Sequence, residues 1–101
     1  MQAWRVRQCY LPDQPTVAGL LDQARRLEAA ISAAGVSVVP ASVLIRTDGL
    51  TVTVTVQDTR AAAAGTALAL IGGLAAAAGI APGELGRVGE VTVRPGWRPT
   101  P

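Results

Sequence analysis

The chain has 101 residues and a net charge of +2, which is enough for one domain and too little for two. Half of its residues are hydrophobic and 16% are charged, a balance that excludes a disordered polymer. Histidine is absent and cysteine occurs once, which excludes the commonest general base, Ser-His and Cys-His nucleophile pairs, imidazole or multi-thiolate metal sites, and an intrachain disulfide.

Residues Ala3 to Tyr10 alternate, with Trp4 and Val6 on one side and Arg5 and Arg7 on the other. Period two predicts a strand with one wet face, which Pro12 and Pro15 then end. An alternative is that this segment is a free arm beside an α-β-β-α-β core. Thr16 is a good N-cap, and the next eighteen residues predict a helix whose apolar stripe is Val17, Leu20, Leu21, Ala24, Leu27, Ile31 and Ala34. Asp22 and Arg26 form an i,i+4 pair on its polar side, and Gly35 stands at the C-cap.

Val36 to Thr47 reads as extended, with Pro40 marking a sheet edge or a bulge. Asp48-Gly49 predicts a two-residue type I′ turn. That turn pairs Thr47 with Leu50, Ile45 with Val52 and Val43 with Val54, and LTVTVTVQ follows as the cleanest strand. Asp58 or Thr59 caps a second helix through about Ala78, ended by Gly79 and barred from continuing by Pro82. Gly89 to Arg94 is a last strand, with Val91 and Val93 inward and Glu90, Thr92 and Arg94 outward. Residues 1–94 are expected to form a single α+β domain, and 95–101 an extended proline-rich tail.

The order strand, helix, strand, strand, helix, strand predicts a ferredoxin-like split βαβ sandwich, βαββαβ, with two helices on one face of a four-stranded antiparallel sheet. The expected spatial order is last, first, third, second. Many unrelated functions use this architecture.

No GxGxxG, GxxxxGK[ST], HExxH or GxSxG motif occurs, and Gly72-Gly73 lies inside a helix pattern, where it cannot act as a phosphate loop. Asp13, Asp48, Asp58, Glu84 and Glu90 fall in loops, turns, a helix start and an outer strand face, and are read as structural. Cys9 is read as a half-buried strand-end residue. The chain is therefore expected not to be an enzyme and to need no cofactor or metal.

Two features stand out as interaction surfaces. The first is the outer sheet face, where Arg5, Arg7, Arg46 and Arg94 join Thr51, Thr53, Thr55 and Thr92 as a possible anion or nucleic-acid face. It has no aromatic residue for stacking bases, so nucleic acid is the less favoured partner. The second is the second helix. Leu68, Ile71, Leu74, Ala64, Ala67, Ala75 and Ala78 are expected inward, and Ala62, Gly65, Thr66, Ala69, Gly73 and Ala76 outward. The outer strip is uncharged and is read as a homo-oligomer or partner interface.

Ala61 to Gly83 carries no charge and is long enough to span a bilayer, but is dominated by Ala, Gly and Thr, so no membrane role is expected. The start of the chain lacks the apolar core of a signal peptide, and a lone thiol fits a reducing compartment, so the cytoplasm is the expected location, or the virion if the chain is phage-encoded. All nine basic residues are arginine, an actinobacterial or phage-like style of composition. The functional expectation is a non-catalytic assembly or interaction module, oligomeric, with a phage or mobile-element structural component as one concrete form. A weak nucleic-acid-binding domain is the alternative.

Overall fold

In the computed structural model, residues 2–34, 41–81 and 83–96 are described, and the expectations for Gly35, Pro40, Pro82 and 97–101 fall outside them. The elements are β1 (Gln2–Leu11), α1 (Val17–Ala34), β2 (Ala41–Ile45), β3 (Leu50–Asp58), α2 (Arg60–Ala77) and β4 (Arg87–Pro95). The protein is α+β, with two helices and one four-stranded sheet in the order β2-β3-β1-β4. All neighbouring strands are antiparallel. Read from the β4 edge, the order is last, first, third, second. β1 is therefore a paired central strand and not an arm.

Local chemistry sets the element ends. The Thr16 hydroxyl accepts from Gly19 N–H at 3.0 Å and opens α1. The Thr59 hydroxyl accepts from Ala62 N–H at 3.3 Å and opens α2. Gly79, at φ 74, follows the end of α2 in a left-handed conformation that favours glycine. β4 is longer than expected and includes Pro95, after which Gly96 N–H still donates to Ala3 O at 2.8 Å.

Both helices pack on the same face of the sheet, over Val6 and Tyr10 of β1 and Leu50, Val52, Val54 and Val56 of β3. From α1 the buried residues are Leu20, Ala24 and Leu27. From α2 they are Ala63, Ala67, Ile71, Leu74 and Ala75. Each fully buried Leu, Ile or Val contributes about 1.5–3 kcal/mol, and the alanines let α2 lie close to the strands. Gln8 is buried among them: its Oε1 accepts from Tyr10 OH at 2.7 Å and its Nε2 donates to Ala64 O at 3.3 Å.

Three expectations are corrected. The hairpin register is Ile45↔Leu50, Val43↔Val52 and Ala41↔Val54, with Arg46–Gly49 as the connection. Neither Asp48 nor Gly49 has positive φ, so the type I′ turn does not form. The reason is tertiary. Tyr10 pairs with Leu50, and Gly49 lies so close to Tyr10 O that an added Cβ would overlap it. Because the slip is two residues, each side chain keeps its face, and Val52 and Val54 stay in the core. Second, the α1 stripe is narrower than expected: Val17 is 82% exposed, Leu21 is exposed, and so is Ala34. Third, Leu68 is 47% exposed and Val91 43%, because α2 lies mainly over β3 and β1 and covers little of β4.

Candidate interaction surfaces

The outer face of the sheet has no helix over it. Alternation along β1, β3 and β4 brings Arg5, Arg7, Thr53, Thr92 and Arg94 to this side, and they line a shallow concavity of ≈ 620 Å³. Ser42, Leu44 and Glu90 complete its wall. Arg5 and Arg94 stand directly opposite each other in the β1–β4 ladder. Arg46 shares a smaller hollow of ≈ 80 Å³ on this face with Arg7, Cys9, Glu90 and Thr92. Its Nε lies 4.0 Å from Asp48 Oδ1 and its Nη1 3.7 Å from Cys9 Sγ. The outer face thus carries Arg5, Arg7 and Arg94 around one hydroxyl-lined hollow and Arg46 beside Arg7 at the next, with Glu90 on the wall of both.

Cys9 is buried beneath Arg46, with Sγ 3.5 Å from Thr51 Oγ1. Asp58 and Glu84 have structural partners. Asp58 accepts from Thr66 OH at 2.6 Å and from Thr59 N–H at 2.7 Å. The Thr66 bond first, and the Thr59 amide second, hold its carboxyl below the usual range. Glu84 Oε1 accepts from Ala81 N–H at 3.1 Å within its own turn. Burial pushes the Tyr10 phenol up to about 12.

On α2, Ala62, Gly65, Thr66, Ala69, Gly73 and Ala76 are all exposed. Nothing lies within 4 Å of where a Cβ would sit on Gly65, Gly72 or Gly73. Thr66 is the polar member of the strip, and its hydroxyl is turned to Asp58. Ala69 and Gly73 also line an apolar groove of ≈ 490 Å³ against Ala30 and Ala33 of α1. The helix has a mean hydropathy of 1.4, long and apolar enough by length and composition to cross a membrane, and 28% of it is buried. That buried share, including Ile71 and Leu74, belongs to the domain core.

The expected outer strip takes shape because α2 is apolar all round, while the exposed Leu68 escaped the sequence reading for the same reason. A helix of Ala, Gly and Leu with no charged side gives no signal for which leucine faces inward. The chain matches no family model, no curated protein and no solved structure.

Proposed function

We propose that this chain is a non-catalytic assembly module that docks through the outer face of α2 onto a second copy of itself or a larger assembly. The observation that carries this reading is a helix in which 28% is buried and whose exposed remainder bears no charge after Arg60. A solvated helix face normally carries charged residues, and an uncharged patch of this kind marks contact sites. Three open glycines within one helix each cost about 1 kcal/mol against alanine, and close packing against a partner backbone would offset that cost. The proposed fold family is the ferredoxin-like split βαβ sandwich, supported by the element order βαββαβ with both helices on one sheet face.

Ala69→Arg tests the docking surface. The side chain is exposed, so the variant should fold, and light scattering at high micromolar protein should show the solution mass fall as the α2 contact is lost. An unchanged solution mass removes the reading.

A second reading has a specific observation behind it. The hollow lined by Arg5, Arg7 and Arg94 with Ser42, Thr53 and Thr92 could follow a phosphate backbone. Its wall also carries Glu90 and lacks an aromatic platform, which ranks it second. Binding by this face must weaken steeply with salt, and Arg5→Ala with Arg7→Ala must flatten that slope. No binding tighter than about tens of micromolar at physiological salt is expected, the range of non-specific association.

A further inference from the structure

β4 is an edge strand nine residues long, and its outer edge has no partner among the described residues. Such an edge presents a row of main-chain donors and acceptors ready to pair with another strand. We propose that β4 pairs with β4 of a second copy, antiparallel about a two-fold axis through Thr92.

The first argument is the direction of the backbone groups. Gly96 N–H donates to Ala3 O across the ladder. Ala3 opposite Gly96 continues the register in which Arg5 meets Arg94 and Arg7 meets Thr92. These even-numbered residues turn their main-chain groups toward β1, so those of Val91 and Val93 face outward. A two-fold axis at Thr92 places Val91 opposite Val93 of the second copy, so the outward groups meet on both sides of the axis. Pro95, in the same outward set, has no N–H to donate, and a register shift in the β1–β4 ladder lies between Gln8 and Tyr10. Those two features confine a free, regular edge to Val91 through Arg94, with Glu90 in the bulge that ends it.

The second argument is charge. In this register Glu90, beside the regular edge, comes against Arg94 of the second copy, twice by symmetry. Among the described residues neither Glu90 nor Arg94 has an ion-pair partner. Within the chain Arg94 instead faces the like charge of Arg5, an unfavourable opposition that an incoming carboxylate relieves. The third argument is side-chain match: exposed Val91 meets Val93 on the helix side of the sheet, and Thr92 meets Thr92 on the outer side. The run Glu-Val-Thr-Val-Arg is complementary to its own reverse, as an isologous contact requires. Axes at Val91 or Val93 would face Glu90 with Thr92 or with Gly96 and leave both charges unmatched.

This pairing does not rest on the α2 docking surface, so it is tested in the Ala69→Arg background, on nuclease-treated full-length protein, by sedimentation equilibrium. A dimer should persist there. Glu90→Arg and Arg94→Glu should each weaken it about tenfold or more, since each turns two attractions into two repulsions. The double exchange Glu90→Arg with Arg94→Glu should restore the original affinity, because the edge is again self-complementary. Val91→Pro, which removes an outward N–H and no bond to β1, should abolish the dimer while circular dichroism stays unchanged. A monomer in the Ala69→Arg background overturns the proposal. So does a double exchange no better than the single ones, or an association lost on nuclease treatment.

Discussion

Replacing Gly65, Gly72 and Gly73 together by alanine separates the folding of α2 from its use. In the isolated domain all three sites are open, with nothing within 4 Å of the added methyl. None of the three has positive φ, so alanine meets no backbone strain. Each exchange should gain about 1 kcal/mol from helix propensity and reduced unfolded-state freedom, or about 3 kcal/mol in sum. For a domain near 101 residues that raises Tm by about 12 °C or more. Urea unfolding in a background that carries both Ala69→Arg and Val91→Pro, which removes the α2 and the β4 contacts, gives the monomer value free of association. The same triple exchange in the otherwise unaltered chain should weaken self-association, because three methyls now hold the partner backbone away. Higher monomer stability with unchanged association would refute the docking role of α2. No gain in monomer stability would refute the open helix face itself.

The Tyr10 phenol supplies a pH prediction. Its folded value of about 12 lies above the unfolded value near 10, so the unfolded chain loses its proton first as pH rises. The associated stability is fully present below pH 10 and is lost between about 10 and 12, a fall of about 2–3 kcal/mol in urea titrations that Tyr10→Phe should abolish. An equal alkaline fall in the variant would show that another group is responsible. Gly49→Ala should destabilise by about 1–3 kcal/mol, because its methyl overlaps Tyr10 O, and a neutral urea midpoint would contradict the close approach of the two strands.

Much of the fold was legible because local and tertiary preferences agree. Thr16 opens α1 at the expected residue, the alternation of LTVTVTVQ marks a strand, and Arg5 and Arg7 fall opposite Val6 as period two requires. The hairpin was misread where they conflict. Asp48-Gly49 favours a two-residue turn by an amount on the order of 1 kcal/mol, while the pairing of β3 with β1 enlists a whole strand. Arg46 keeps the outer face, beside Arg7, because a slip of two residues preserves it, and its contacts with Asp48 and Cys9 follow from the longer connection. The α2 strip was legible as an absence of charge, but the exposure of Leu68 was not, since a uniformly apolar helix has no preferred side. The self-complementary run Glu90–Arg94 is visible in the sequence. Its meaning depends on β4 lying at an edge with the main-chain groups of Val91 and Val93 turned away from β1, which only the assembled sheet reveals.

The place of β1 in the sheet has a kinetic consequence. Its two neighbours, β3 and β4, both come from the second half of the chain: Gln2 meets Asp58, and Trp4 meets Pro95. The β2–β3 connection is the one short-range strand pairing. Closing the β1 contacts costs loop entropy before any of their stabilisation is returned, so passage over the folding barrier waits on long-range encounters. During synthesis β1 emerges first and has no native neighbour until β3 has left the ribosome, and its other edge stays open until β4 follows. Folding of this sheet is therefore completed late, from both sides of its oldest strand.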